Sequence, residues 1–241
     1  MSWFASTVVG WPTQASCTEN IEVLEELLFS CYSLQHLKMQ GIFITPKMAV
    51  GICKNGKTLQ ILDLNYSDTY LAYPNSTVIR LDDIVPNSNI QLIIKRCQEL
   101  KEVHLAYNNE RRGPTDDDLE FLAKNISPNL EKLNLSTSDV SDDQVKILVS
   151  RCKKIKVLIL AETNVTRDSL KSIRQYLNLT LEELSLAYCG LHPFTSFLEL
   201  KSMSRVKVLN LHNTKDDIQK LREKIRTLPD WENLKRKHNL T

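Results

Sequence analysis

Residues 130–138, LEKLNLSTS, carry leucines at the first, fourth and sixth positions. The same frame, L-x-x-L-x-L with conservative apolar replacements, occurs seven times. It starts at Leu34, Leu59, Leu100, Leu130, Ile155, Leu181 and Val206. Successive starts are 25, 41, 30, 25, 26 and 25 residues apart, so the period is 25–26 residues with one long insertion. Self-similarity at such a period indicates a repeat architecture.

Each frame predicts a short strand with its apolar residues pointing inward, followed by a turn of the chain. The residue eight places after the frame start is polar or small in six of the seven repeats. These turn residues are Ser67, Asn108, Ser138, Thr163, Cys189 and Thr214, and Ile42 is the exception. Such a side chain, once buried, satisfies the backbone groups that the turn leaves without partners.

Helical patterns with clear start signals lie between the strands. A hydroxyl residue precedes each of four such segments, at Thr45, Thr115, Ser141 and Thr166. A hydroxyl side chain at this position caps the first free N–H groups of a helix. One strand, turn and helix cannot bury its own apolar faces. We therefore expect an α/β leucine-rich-repeat solenoid of about seven repeats, curved, with parallel strands on the concave face and helices on the convex face.

The cysteines follow the repeat. Cys31, Cys97 and Cys152 each stand three residues before a frame start, and Cys189 occupies a turn position. A thiol that recurs in phase with a structural repeat is best interpreted as a small buried hydrophobe, and not as a disulfide or metal ligand. Cys17 and Cys53 fall outside this pattern.

Composition limits the classes of function. The 241 residues are 42% hydrophobic and 25% charged with a formal charge of +2, which gives no electrostatic basis for binding nucleic acid or a membrane. Only six glycines are present, few for a nucleotide-binding fold. No apolar run approaches the roughly 20 residues of a membrane span. We expect a non-catalytic protein without cofactor or metal.

One formal motif argues otherwise. Residues 51–58, GICKNGKT, satisfy the phosphate-binding pattern G-x-x-x-x-G-K-T. That loop functions between a preceding strand and a following helix. Here the periodicity predicts a helix before the motif and a strand after it, with the glycines closing the helix and turning the chain. We interpret the match as coincidence.

Binding residues are predicted on the strands. Positions two, four and six beyond a frame start face the concave surface, and partner contacts are predicted at Ile61, Asp63, His104, Asn134, Val157, Ile159, Ser185, Asn210 and His212. Val157 and Ile159 are favoured because exposed apolar side chains suit a partner. Three tyrosines at strand exits, Tyr66, Tyr107 and Tyr188, either anchor the interface or cap the hydrophobic ladder.

The period, the cysteine before the strand and the helix starts ITP, PTD, VSD and VTR resemble the cysteine-containing leucine-rich repeats of F-box proteins. The segments CYSLQHL (31–37) and RCKKI (151–155) are similar to the S-phase-kinase-associated type within that family. The resemblance runs from about Asn20 to Leu228. It implies that the repeats hold a protein substrate, while an N-terminal F-box docks on the adaptor of a cullin-based (SCF-type) ubiquitin ligase.

The repeat pattern also predicts the organisation of the chain: an atypical N-terminal cap over residues 1–19, a solenoid over 20–228 with an insertion at about 67–89, and a degenerate closing repeat with a basic tail over 229–241. The first residues are too short for an F-box, so adaptor and cullin are expected as partners only if an F-box lies elsewhere. A scaffold or inhibitor that acts without a ligase is the alternative. The chain lacks a signal-peptide pattern, which favours the cytoplasm, the nucleus or both.

Overall fold

A computed structural model gives the fold. It describes residues 2–5, 14–39, 44–65, 88–106, 114–189, 191, 199–200 and 203–210, with the backbone alone for 2–5 and 14–20. The chain divides into two compact units, Met1–Ser127 (unit 1) and Pro128–Thr241 (unit 2). The predicted tail at 229–241 and most of the predicted insertion at 67–89 lie outside the described residues.

Unit 1 alternates strands and helices. Its elements are β1 (Ser2–Ala5), α1 (Gln14–Ser30), β2 (His36–Met39), α2 (Pro46–Lys54), β3 (Ile61–Asp63), α3 (Asn89–Arg96), β4 (Glu102–His104) and α4 (Asp116–Asn125). The four strands pair in parallel and in chain order, and each helix packs against the next. β1 belongs to none of the seven sequence frames.

Unit 2 repeats the same plan. Its elements are β5 (Lys132–Asn134), α5 (Asp142–Arg151), β6 (Val157–Ile159), α6 (Arg167–Leu177), β7 (Glu183–Ser185) and β8 (Val208–Asn210). These strands are also parallel and follow one another in chain order, and α5 packs against α6.

The phase of the strands agrees with the leucine frame. The central residue of a strand, such as Leu62, Leu133 or Leu158, is completely buried, whereas both neighbours of Leu133 and of Leu158 are partly exposed. Burying a leucine of this kind contributes about 2 kcal/mol. Inward leucines on stacked strand–turn–helix repeats confirm the predicted fold, an α/β leucine-rich-repeat solenoid.

All four predicted helix starts are confirmed. The Thr45 hydroxyl accepts a hydrogen bond from the Met48 N–H, with proline in the first turn of the helix. Thr115 and Ser141 each form a complete capping box, and Thr166 caps α6 through the Asp168 N–H. Each cap satisfies N–H groups that the helix itself leaves open.

The turn residues act as predicted where they are described. Ser138 donates to the Leu135 carbonyl and Thr163 to the Leu160 carbonyl, each at 2.7 Å, and both hydroxyl residues are buried. The Cys189 thiol is also buried, but it donates to a carbonyl of the preceding repeat, that of Leu160, at 2.9 Å. Ser67, Asn108, Thr214 and Ile42 lie outside the described residues.

The in-phase thiols are structural. Cys97, Cys152 and Cys189 are buried, and the five described cysteines are reduced. Burial raises the pKa of the Cys152 thiol to about 12 and also raises the pKa of Cys189, which disfavours the reactive thiolate. Cys53 has a raised pKa because the Cys97 thiol hydrogen-bonds to it and because it is mostly buried.

The segment 51–58 has the predicted order, with α2 before it and β3 after it. The role expected of Gly51 is wrong, however. Gly51 lies inside α2, where a Cβ would stand 3.0 Å from the Leu28 backbone, so the residue permits α1 to approach α2 closely. Gly56 lies in the turn, and a Cβ there would meet the Arg96 carbonyl oxygen at 2.4 Å.

An ion-pair ladder marks the entry of the unit 2 strands. Its members stand one residue beyond each frame start and alternate in sign: Glu131, Lys156, Glu182 and Lys207. The Lys156 ammonium lies 2.6 Å from Glu131, and the Lys207 ammonium lies 2.6 Å from Glu182. Hydrogen bonding to Glu131 raises the pKa of Lys156, and hydrogen bonding to Lys207 lowers the pKa of Glu182.

Candidate protein-binding faces

Side chains two and four places beyond each frame start form a strand face in each unit. The unit 1 face comprises His36, Lys38, Ile61, Asp63, Glu102 and His104. The unit 2 face comprises Lys132, Asn134, Val157, Ile159, Glu183, Ser185, Val208 and Asn210. The parallel register places equivalent positions of neighbouring strands side by side.

One row of the unit 1 face is polar, and all of its side chains have partners. Strand register aligns Lys38, Asp63 and His104 in one row, and none of these three side chains is without a partner. Asp63 is only 5% exposed and accepts a hydrogen bond from the Asn65 N–H at 3.1 Å. The His104 imidazole lies 3.8 Å from the Glu102 carboxylate. Polar groups that already have partners within the chain gain less from binding another protein.

The unit 2 face has a different chemistry. Register aligns Lys132, Val157, Glu183 and Val208 in one row across four strands, called the unit 2 row below. Val208 is 52% exposed, and Val157 is partly exposed. The side chains of Lys132 and Glu183 form no ion pair or hydrogen bond with the described part of the chain.

A second row of the unit 2 face runs parallel to the first. It aligns Asn134, Ile159, Ser185 and Asn210. Ile159 is partly exposed beside Val157, so the two residues place apolar surface together on β6. Asn134 is occupied locally, because its carboxamide oxygen accepts hydrogen bonds from the Ser136 N–H and hydroxyl. Ser185 is 7% exposed.

Tyr188 follows the unit 2 face at a strand exit. It is 50% exposed, and its backbone φ is 57°, in the left-handed region. Thr137 and Glu162 have the same conformation at the same repeat position. A non-glycine residue is strained there by about 1 kcal/mol. The other predicted contacts, Tyr66, Tyr107 and His212, lie outside the described residues.

Lys132, Glu183 and Val208 occupy the same repeat position as Val157, two residues beyond a frame start, but they were not among the predicted site residues. Their chemistry as single residues is ordinary for a strand surface. What distinguishes them is their alignment in one row and the lack of partners for the two charges, and neither property is visible before the register is known.

Other kinds of site find no support in the described ranges. No three of their His, Cys, Asp and Glu side chains are arranged to hold a metal ion. Nor does any helix among these residues combine the length and apolarity needed to cross a bilayer.

Fold and strand faces define a leucine-rich-repeat protein, a class whose strand surfaces commonly bind other proteins. Neither a protein-family model nor a curated protein sequence matches the chain. Solved structures that match include the tropomodulin C-terminal domain from Caenorhabditis elegans, with 16% identity and a TM-score of 0.42. That match covers 61% of this chain and 93% of the other. The fold assignment rests on the repeat geometry of this chain itself.

Proposed function

We propose that the chain is a non-catalytic protein-binding module that holds a protein partner on the unit 2 face. The observation that carries this proposal is the unit 2 row, in which a partly exposed and an exposed valine alternate with charges that have no partner in the described chain. Exposed apolar area gains free energy when a partner covers it. Charged side chains that have no partner in the described chain make this binding selective, because they favour a protein with complementary charges.

The finer proposal concerns the biological setting. The in-phase cysteines and helix starts resemble those of F-box leucine-rich-repeat proteins, and this resemblance supports a role in substrate recognition for a cullin-based ubiquitin ligase. In that role the unit 2 face would hold the substrate, and adaptor and cullin would be recruited through an F-box outside this sequence. The same setting implies action in the cytoplasm or nucleus.

Affinity purification of the tagged chain from cells tests both the proposed binding face and the proposed ligase role. The test variant carries Val157→Asp and Ile159→Asp. The control is Ile61→Asp, because Ile61 occupies in unit 1 the repeat position that Val157 occupies in unit 2. We expect the test variant to lose at least nine-tenths of a partner that wild type and control both retain. Thermal unfolding confirms that each variant is folded.

The outcomes distinguish protein binding by the unit 2 face from the role in a ubiquitin ligase. Recovery of adaptor and cullin with the tagged chain supports the ligase role. A partner that depends on Val157 and Ile159, recovered without adaptor or cullin, argues against the ligase role and leaves a scaffold or inhibitor. Partners that bind the test variant as well as wild type would refute binding through the unit 2 face.

A further inference from the structure

The unit 2 row has a spacing that constrains the shape of its partner. Neighbouring parallel strands lie about 4.8 Å apart, so Lys132, Val157, Glu183 and Val208 stand at about 0, 4.8, 9.6 and 14.4 Å along the row. A partner segment that contacts all four must present one side chain at each of these intervals.

An extended segment fits these intervals poorly. Its side chains on one face recur every 6.6–6.8 Å or so, and it drifts by almost 2 Å at each step. An α-helix rises about 1.5 Å per residue, and its side chains at i, i+3, i+7 and i+10 stand at about 0, 4.5, 10.5 and 15 Å. These four positions lie on one stripe of the helix and match the row to within about 1 Å.

The chemistry of the row fixes the order of the helix side chains. Lys132 requires an acidic partner, and Glu183 requires a basic one, since neither has a counter-ion in the described chain. Val157 and Val208 require apolar partners. The two charges do not pair with each other among the described residues, and the strand that carries Val157 lies between them.

We propose that the unit 2 row binds an amphipathic helix of a partner protein, laid across the strands, with acidic, apolar, basic and apolar side chains at i, i+3, i+7 and i+10. The inference rests on the proposed function, binding of a protein by the unit 2 face, and adds the conformation and charge order of the bound segment. The order also suits the helix itself, because an acid near the N-terminus and a base toward the C-terminus complement the helix dipole.

Two lactam-bridged helical peptides test the inference by fluorescence anisotropy with the full chain. The forward peptide carries Glu, Leu, Lys and Leu at the four positions, and the exchanged peptide has Glu and Lys swapped. We expect wild type to prefer the forward peptide by about tenfold, from two charge pairs at the rim of an interface. Lys132→Glu combined with Glu183→Lys should reverse the preference.

A third peptide tests whether binding requires the helical conformation, independently of the charge order. It is the forward peptide with proline in the middle of the helix, which keeps every contact side chain and breaks the helix. We expect its affinity to fall at least tenfold. Binding as tight as that of the forward peptide would overturn the helical conformation.

The remaining outcomes separate the helix from the binding face. Equal affinity for forward and exchanged peptides, no binding of either at about 1 mM, or an unchanged preference in the charge-swapped chain overturns the helix proposal. If the Val157→Asp/Ile159→Asp variant still loses its cellular partner, the proposed function survives that result. If that variant keeps its cellular partner, the proposed function fails, and the helix proposal, which rests on it, fails with it.

Discussion

The two units place different side chains at the same positions of one repeat. At the same position, four residues beyond the frame start, unit 1 places Asp63 and His104 and unit 2 places Ile159. Asp63 is buried in a row of charges that have partners, whereas Ile159 is partly exposed beside Val157. The leucine frame fixes which side chains face outward and leaves their chemistry open. A strand face can therefore serve either stability or binding.

The comparison makes a general prediction. Substitutions in the unit 1 contacts should lower stability and leave partner binding by the folded chain intact, and substitutions on the unit 2 face should do the reverse. Two measurements on each variant test this division: the free energy of unfolding, and capture of the partner that wild type retains.

The largest effect is expected at Gly56 in unit 1. In Gly56→Ala the new Cβ would stand 2.4 Å from the Arg96 carbonyl oxygen, and backbone cannot yield as a flexible side chain does. We expect a loss of about 3 kcal/mol in the free energy of unfolding, measured by urea denaturation. The control Gly51→Ala should cost less, because its nearest contacts are at 3.0 Å. Equal stability of Gly56→Ala and wild type would contradict the close approach.

The next effect is expected at Asp63. Replacement by alanine removes a buried acceptor and leaves the Asn65 N–H and other groups without their partner. We expect a loss of about 2 kcal/mol in the free energy of unfolding, with unchanged partner capture. Ser185→Ala, at the matched position of unit 2, should cost less than about 1 kcal/mol. Loss of capture without loss of stability in Asp63→Ala would place binding on the unit 1 face instead.

Unit 2 derives stability from a contact on its helices. Asp142 accepts hydrogen bonds from the N–H and hydroxyl of both Thr166 and Ser169, which joins α5 to the start of α6. Asp142→Ala should cost about 1.5 kcal/mol of unfolding free energy near pH 7 and leave partner capture unchanged. Reduced capture by the folded variant would contradict the separation of stability from binding in this unit.

The Asp142 contact also predicts a pH dependence. Partial burial raises the pKa of this carboxyl, but hydrogen bonds from Ser169 and Thr166 outweigh burial and hold the pKa below the ordinary 3.8. A carboxyl with a lowered pKa in the folded state stabilises above its unfolded pKa, and the effect disappears as the pH falls through the folded value. The difference between wild type and Asp142→Ala should therefore shrink below about pH 4. A constant difference down to pH 2 would refute the assignment.

The smallest effect is a gain. Glu162 has a φ of 57° and its side chain is exposed, so Glu162→Gly relieves backbone strain without opening the core. We expect stabilisation by about 0.5–1 kcal/mol, detected as a higher melting temperature. Glu162→Ala keeps a Cβ in the strained region and should gain nothing. A lower melting temperature for the glycine variant would show that the Glu162 side chain stabilises the turn.

Sequence patterns predicted the frame, the helix caps and the outward position of Val157 and Ile159, because these depend on local spacing. They missed the burial of Asp63 and Ser185, since burial depends on neighbours contributed by adjacent strands. They misplaced the function of Gly51, because its close contact is with Leu28, far away in sequence. That Lys132 and Glu183 have no ion pair with the described residues is likewise a property of the register.

The ion-pair ladder of unit 2 bears on how such a protein changes length in evolution. Its signs alternate from repeat to repeat through Glu131, Lys156, Glu182 and Lys207. Deleting the repeat that carries Lys156 would bring Glu131 beside Glu182 and replace attraction by repulsion. Deleting or duplicating two successive repeats preserves the alternation. The smallest insertion or deletion that keeps opposite charges adjacent along this edge is therefore a pair of repeats. We expect related proteins to differ from this chain by an even number of repeats in this region.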